Sequence, residues 1–340
     1  KKRLFRCITR LWGLCLSAVS MKSDGTMRHL ISLREQSRED LLAILQLARM
    51  LKAKRMAGQP SEYLSQKTLI MLFQKTSTRT RLSFETAMTE LGGHAIFLDA
   101  RTTQFALTDF KTEIQAIMRF GHLLVFRARR SADVAFAASC NRIPVIDACS
   151  EKYHPAQALG DVLTMLEYSG SIHRIKKVAW LGIENNVSNS LMLACVKLGI
   201  SFVLVSPEVD PESVDRELTV EAEATGLVIR TLDMAYALHN ADYVHTDTWM
   251  NMEFFEDGHV KEEWREEYER RKKVFQPFQL NAALIDAYAP HARIMHCMPC
   301  HVGYEITHDA LYHPRSIIFD QAENRLHVQK AILAWLLCGY

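Results

Sequence analysis

The sequence predicts an α/β protein with two doubly wound parallel-sheet domains. Three observations carry this. The chain has 340 residues, about twice the length of one ordinary domain. Short apolar runs alternate with stretches whose apolar residues recur at helical spacing, as strands and covering helices do in a parallel sheet. The alternation breaks at Ser169-Gly170-Ser171 and then restarts, which marks a domain boundary.

The elements follow in order. Leu41, Leu42, Ile44, Leu45, Leu47, Ala48 and Leu51 give a first amphipathic helix. Thr68–Phe73 (TLIMLF) reads as a buried strand, Gln74–Ser77 as a polar loop, and Arg81–Leu91 as a helix closed by Gly92-Gly93. Ala95–Leu98, Leu123–Phe126 and Val145–Ile146 are further strands, and His154–Tyr168 is one long helix. After the break come strand Val178–Leu181, helix Asn189–Leu198 with Gly199 as its stop, and strands Phe202–Val205, Val228–Thr231, Tyr243–Thr246 and Arg293–His296. Glu253–Lys273 is dense in charge and reads as a solvated loop and helix, and Ala322–Leu337 as a helical tail. The expected division is an N-terminal extension (1–26), a first domain (27–168), a second domain (172–320) and a C-terminal helix (321–340).

Hydrophobic residues make up 48% of the chain and charged residues 24%, enough apolar material for a full core. Lys and Arg number 41 against 39 Asp and Glu, so net charge gives no reason to propose nucleic acid as a partner. The 8 cysteines are scattered, several inside apolar runs, which points to a reducing compartment rather than a disulfide scaffold. No run reaches the ~18 apolar residues of a membrane span, so no membrane partner is expected. Residues Lys1–Ser20 carry Lys1, Lys2, Arg3, Arg6 and Arg10, no acid, and the apolar stretch Leu11–Val19. They read either as a targeting segment, secretory or mitochondrial, or as an upstream stretch with Met21 or Met27 as the natural start. The expected location is the cytoplasm, or the mitochondrial matrix if the segment is a genuine targeting signal.

Ser77-Thr78-Arg79-Thr80-Arg81 follows a buried strand and opens a helix. A helix's first turn has unpaired N–H groups and the positive end of the macrodipole, so an anion placed there meets donors already aimed at it. The hydroxyls add donors, and Arg79 adds a planar fork suited to phosphate oxygens. The plainer reading is a Ser/Thr cap with surface arginines. The loop has no Gly-rich stretch and no Gly-Lys-Ser/Thr, so a nucleoside triphosphate is not favoured.

Three other constellations carry chemistry. His154-Pro155-Ala156-Gln157 opens the long helix with an imidazole and an amide three residues apart, on one side. A helix cap is the plainer account of that histidine. His296-Cys297-Met298-Pro299-Cys300-His301 closes a strand and admits zinc, thiol exchange or a single functional Cys297. The third is preferred: no second ligand pair with finger-like spacing appears, and ligands of open parallel sheets sit at carboxyl ends of strands. No metal and no cofactor are expected. Asp247 also follows a strand, where it could hold a substrate amine or simply cap a turn. Gly182 stands where a dinucleotide fold has several glycines, which argues against a nicotinamide cofactor.

In order, FQKTSTRTRLSFE, TTQ, FRARR, YHPAQALGD, WLGIENNVSNS, TDTWMNM, HCMPCH and DQAENRLHVQKA resemble the aspartate/ornithine carbamoyltransferase family, closest to its ornithine branch, from about Leu30 to Leu337. The resemblance implies a carbamoyl phosphate-binding first domain and an amino-substrate-binding second domain joined by helices, with the last helix returning to the first. It implies a homotrimer in which Gln104 reaches a neighbouring site. It places Ser77, Thr78, Arg79 and Thr80 on the phosphate, Arg127 between phosphate and carbonyl, and His154, Gln157, Cys297, Met298 and Arg325 at the carbamoyl end. Asn186, Asp247, Asn251 and Met252 fall on the amine substrate. Arg127, His154, Cys297 and Asp247 are the expected catalytic residues.

This chain departs from the family pattern at Asn251 (Ser), Glu253 (Gly), Gly182–Asn186 (GIENN for GDGNN) and Ala106-Leu107-Thr108 (Gly-His-Lys). Most departures lie in the amine half, so the acceptor is expected to be ornithine or a closely related amine. The other class of reading is a catalytically weak paralogue that binds carbamoyl phosphate as a sensor or assembly partner.

Overall fold

A computed structural model describes residues 21, 25–251, 254–256 and 259–340. The expected extension up to residue 20 lies outside the described residues, as do Met252 and Glu253. The chain forms two compact units, one holding the residues up to Leu163 together with Glu323–Tyr340, the other Thr164–Ala322.

The first unit carries α1 (Arg38–Met56), β1 (Thr68–Phe73), α2 (Thr78–Glu90), β2 (His94–Asp99), α3 (Phe110–Ile117), β3 (Leu123–Arg127), α4 (Ser131–Ser139), β4 (Val145–Asp147) and the start of α5 (Pro155–Ser169). Ser37 and Asp40 start α1 with a reciprocal capping box. The four strands are parallel in the order β2-β1-β3-β4. Leu30 extends the β4 edge through a parallel bridge to Ile146. Ile70, Leu72, Leu124, Phe126 and Val145 pack against Ile114, Met118, Val134 and Ala137 to form the core of one face. The chain leaves β1 toward β2 and returns to the other side at β3. The carboxyl ends of β1 and β3 therefore flank a topological switch point, where open α/β sheets hold ligands.

The second unit carries β5 (Lys177–Leu181), α6 (Asn186–Leu198), β6 (Ser201–Val205), α7 (Arg216–Glu223), β7 (Val228–Arg230), α8 (Met234–Leu238), β8 (Tyr243–Thr246), β9 (Phe255–Glu256), β10 (His259–Val260), α9 (Arg265–Phe275), α10 (Ala282–Tyr288), β11 (Arg293–His296) and α11 (His308–Leu311); α12 (Ile318–Cys338) ends the chain. Its five-stranded parallel sheet has the order β11-β8-β5-β6-β7, with the switch point between β5 and β8.

The structure adds detail to the sequence reading in several places. By contacts the units part inside α5, between Leu163 and Thr164, a few residues before Ser169–Ser171. The helix runs on unbroken, and its last turns belong to the second unit: Tyr243 Oη donates to the Met165 carbonyl at 2.8 Å and lies 2.6 Å from Ser169 Oγ. α6 starts three residues early, because Asn185 caps it and its polar first turn is buried. The charge-dense segment is more than a solvated loop and helix. β9 and β10 pair as an antiparallel hairpin. Phe254 and Phe275 join Ile183, Trp249, Met250 and Tyr304 in a buried apolar cluster. Arg271, 7% exposed, donates to the Trp249 carbonyl at 2.9 Å and pairs with Glu267 at 2.7 Å.

Asp147, at the end of β4, is fully buried. Its Oδ1 accepts from the Cys149 amide at 2.9 Å, and Oδ2 is buried without a partner. Burial pushes the carboxyl up to about 7. With the folded pKa raised, the penalty is absent below the unfolded pKa near 3.8, grows as pH rises, and is complete above about 7. Asp147→Asn keeps an oxygen for the Cys149 amide and removes the charge. It is expected to raise Tm near neutral pH by a few degrees, for roughly 1 kcal/mol or more, and to leave Tm unchanged at about pH 4. Equal melting of the two proteins at about pH 8 would contradict this account.

Candidate active site

In the first unit the loop after β1 is tied to the end of β3, since the Gln74 amide donates to the Arg127 carbonyl at 2.9 Å. Ser77 caps α2, its Oγ accepting from the Thr80 amide at 3.3 Å. The first turn of α2 holds no acidic residue, so nothing in it offsets the positive end of the dipole. Arg79 is half-buried there. Arg81 is committed elsewhere: its guanidinium lies 3.8 Å from the Phe97 ring centroid and pairs with Glu85 at 2.9 Å.

α12 brings a residue from the far end of the chain to this turn. Arg325, 3% exposed, donates from Nη2 to Thr80 Oγ1 at 2.8 Å. Arg325 also lies beside α5, where a Cβ added at Gly160 would sit 3.5 Å from its Cγ. Arg127 ends β3 half-buried, its Nε buried without a hydrogen-bond partner. His154 is 6% exposed just before α5. Burial, with the Arg325 and Arg127 charges, holds its pKa well below the ordinary histidine value, so the imidazole is neutral at physiological pH. Gln157, 1% exposed, donates from Nε2 to Asp161 Oδ1 at 2.8 Å. Gln104 stands exposed on the turn Gln104–Ala106, and no hydrogen bond joins its side chain to these groups among the described residues. This half-site gathers cations and hydroxyls around a helix start and can hold a small dianion.

The second unit builds a different cluster. Asp247 follows β8 and is 5% exposed. Its Oδ2 accepts from Asn185 Nδ2 at 2.7 Å, while Oδ1 accepts from the Thr248 amide at 2.7 Å and from the Cys297 thiol at 2.9 Å. Asn185, which is not among the residues expected at the site, makes the bond to Asp247. It also caps α6, accepting from the Val187 and Ser188 amides at 3.0 and 3.1 Å. Asn186 is the half-buried first residue of α6. Gly182 has φ +106°, and a Cβ there would stand 2.8 Å from Trp249 Nε1. Only glycine lets the chain leave β5 so close to the β8 loop. Asn251 is half-buried, its carbonyl accepting from the Phe254 amide at 3.0 Å. Met298 is half-buried beside Cys297, while the expected Met252 lies outside the described residues.

Supports that spacing did not reveal lie behind this cluster. His296 Nε2 lies 3.0 Å from Glu305 Oε1, both buried, and the same oxygen accepts from the His301 amide at 2.6 Å. His301 Nδ1 lies 2.9 Å from Thr248 Oγ1, and its ring stacks on Phe255 of β9, 4.5 Å between centroids. Asp247, His296 and Cys297 each offer a ligand atom within 4.8 Å of the others. Both nitrogens of His296 are engaged, however, Nδ1 by the Met298 amide at 2.9 Å and Nε2 by Glu305. Metal binding there would break one of those bonds. Among the described residues no two cysteines form a disulfide, and no helix is long and apolar enough to cross a membrane.

Comparison with known proteins bears on both units. Residues 28–167 match the family model of the carbamoyl-P binding domain of aspartate/ornithine carbamoyltransferases, and residues 175–336 that of the Asp/Orn binding domain. An ornithine carbamoyltransferase of Archaeoglobus fulgidus is 39% identical over 314 residues, covering 92% of this chain and 98% of that protein. One of Methanospirillum hungatei is 40% identical over 310 residues, 90% and 98% of the two chains. The solved ornithine carbamoyltransferase of Pyrococcus furiosus superimposes with a TM-score of 0.82 at 37% identity, covering 92% of this chain and 98% of that one.

Proposed function

The chain belongs to the aspartate/ornithine carbamoyltransferase family, and from that premise we propose that it moves the carbamoyl group of carbamoyl phosphate to the side-chain amine of ornithine, giving citrulline and phosphate. The observation that carries the reading is the acid-free start of α2 at the first sheet's switch point, with Arg79 in its first turn and Arg325 bonded to Thr80. The acceptor follows from the relatives, whose names all specify ornithine.

The chemistry divides between the units. Ser77, Thr78, Arg79 and Thr80 hold the phosphate, and Arg79, Arg127 and Arg325 neutralise its charge as it leaves. Arg127, His154 and Thr80 face the carbonyl oxygen and stabilise the oxyanion of the tetrahedral intermediate. A neutral His154 can donate one hydrogen bond there without adding a further cation to the arginines. Gln157 of the first unit borders the carbamoyl end. The attacking amine must be neutral, although a free alkylamine has a pKa of ~10. Asp247 and Cys297 position it, with Asn186, Asn251 and Met252 along the rest of the amino acid. The C–N bond forms as the carbonyl carbon's bond to the phosphate oxygen breaks, and phosphate carries off the proton. No step calls for a metal or cofactor.

Steady-state assays with carbamoyl phosphate and ornithine, lysine, putrescine or aspartate test the reading. Citrulline formation with ornithine preferred, rising from about pH 7 to 9 as the amine loses its proton, is the expected result. Binding of carbamoyl phosphate without turnover of any amine would favour the sensor reading. We also propose a homotrimer in which the exposed Gln104 of one chain reaches its neighbour's site; a solution mass that is not a multiple of three chains contradicts it. Function through the Cys297 thiol suits a reducing compartment such as the cytoplasm. Native protein recovered with Cys297 in a disulfide would argue against that location.

A further inference from the structure

Gln157 and Asp161 are four residues apart on α5, 1% and 0% exposed, with the amide nitrogen donating to the carboxylate at 2.8 Å. On a helix surface such a pair would be a modest stabiliser. Here it takes a carboxylate out of water, which is costly unless the group has a task or a full set of partners. The chemistry of the pair is directional. A carboxylate only accepts hydrogen bonds, so the end of the Gln157 amide beside it must be Nε2. The other end of the amide is then the carbonyl oxygen, an acceptor left for another partner.

We propose that Asp161 is a positioning residue that locks the Gln157 amide with its oxygen toward the carbamoyl group, and so makes the enzyme select carbamoyl phosphate over acyl phosphates without an N–H. The proposal rests on the reading of Gln157 as a carbamoyl contact. Carbamoyl phosphate and acetyl phosphate are close in size and charge. They differ where the first has an NH2 with two donors and the second a methyl. An oxygen held in place rewards the NH2 and is left unpaired against the methyl. Sites built on such a bond discriminate well, because the unpaired buried acceptor costs more than a bond to water would recover. Without Asp161 the amide can turn half a revolution, bringing Nε2 against the substrate N–H and losing the bond.

The test compares the KM for carbamoyl phosphate with the inhibition constant of acetyl phosphate, in the full-length enzyme and in Asp161→Ala, Asp161→Asn, Gln157→Ala and the Gln157→Ala/Asp161→Ala double variant. Asp161→Ala is expected to raise the carbamoyl phosphate KM by about tenfold and to change the acetyl phosphate constant by less than about twofold. Asp161→Asn, which keeps an acceptor, should restore part of the ratio, and it remains readable should the alanine variant fail to fold. In the Gln157→Ala background the loss of Asp161 should leave the ratio where it was. A merely structural role would weaken both ligands alike, or lower the ratio again in the double variant; either result overturns the proposal. Wild-type protein that turns over no carbamoyl phosphate would instead overturn the underlying reading and the proposal with it. That outcome differs from an active enzyme whose selectivity ignores Asp161.

Discussion

Arg79→Ala is expected to lower kcat/KM for carbamoyl phosphate about a thousandfold while thermal unfolding stays within about a degree of wild type. The size follows from what is lost. A charged, forked donor sits in the first turn of α2, where no acid offsets it. Truncating one partner of a desolvated charge-assisted contact costs about 2–5 kcal/mol, or roughly one and a half to three and a half decades. The upper part of that range applies because the leaving phosphate gains charge as the reaction proceeds, so the contact counts in the transition state as well as in binding. The fold should survive, since α2 keeps its Ser77 cap and the Thr80–Arg325 bond. Arg81→Ala is the control. Its guanidinium is spent on Phe97 and Glu85, so activity should change less than about threefold. Calorimetric titration of both variants with carbamoyl phosphate decides the matter: unchanged affinity in Arg79→Ala, or equal losses in the two, contradicts the assignment.

The second large effect is expected at Asp247. Its oxygens accept from three donors, the Asn185 amide, the Thr248 N–H and the Cys297 thiol. Asp247→Asn has nearly the same shape but must turn an NH2 toward at least one of them. The charge proposed to attract the amine goes, and a donor–donor clash replaces one hydrogen bond. We expect kcat/KM for ornithine to fall about a thousandfold, while carbamoyl phosphate binding changes less than about threefold, because its main contacts lie in the other unit. The two KM values, measured by varying each substrate in turn, separate these effects. A variant that keeps ornithine turnover within tenfold of wild type would remove Asp247 from the amine site. Cys297→Ala should cost less, since it withdraws one weak donor and leaves the carboxylate charged.

How much of this was legible in the sequence differs between scaffold and site. Strands such as Thr68–Phe73 and Val178–Leu181 stood out because parallel strands buried on both faces read as unbroken apolar runs. The start of α6 was hidden because Asn185, Asn186 and Ser188 look like loop residues, while in the fold they cap a helix and serve a site. The segment Glu253–Lys273 was misread for the opposite reason. Its charges outnumber Phe254, Phe255 and Tyr268, and no periodicity announces that these aromatics join Phe275 around Trp249 and Tyr304. Among site residues, Ser77–Thr80 and Asp247 were visible as polar groups at the ends of apolar strands. The Asn185–Asp247, His296–Glu305 and Gln157–Asp161 bonds were not. The first joins residues 62 positions apart, so sequence spacing carries no trace of it. The last has ordinary helical spacing, and only its burial gives it meaning.

The bond from Arg325 to Thr80 spans 245 positions of sequence. It therefore also sets an order in time. A growing chain can form β1, α2 and the Ser77 cap early, yet the start of α2 lacks its bond to Arg325 until α12 has left the ribosome. A nascent or prematurely terminated chain would carry the helix start and hold carbamoyl phosphate poorly. Because ligand binding favours the folded form that binds it, carbamoyl phosphate should protect finished chains and do little for unfinished ones.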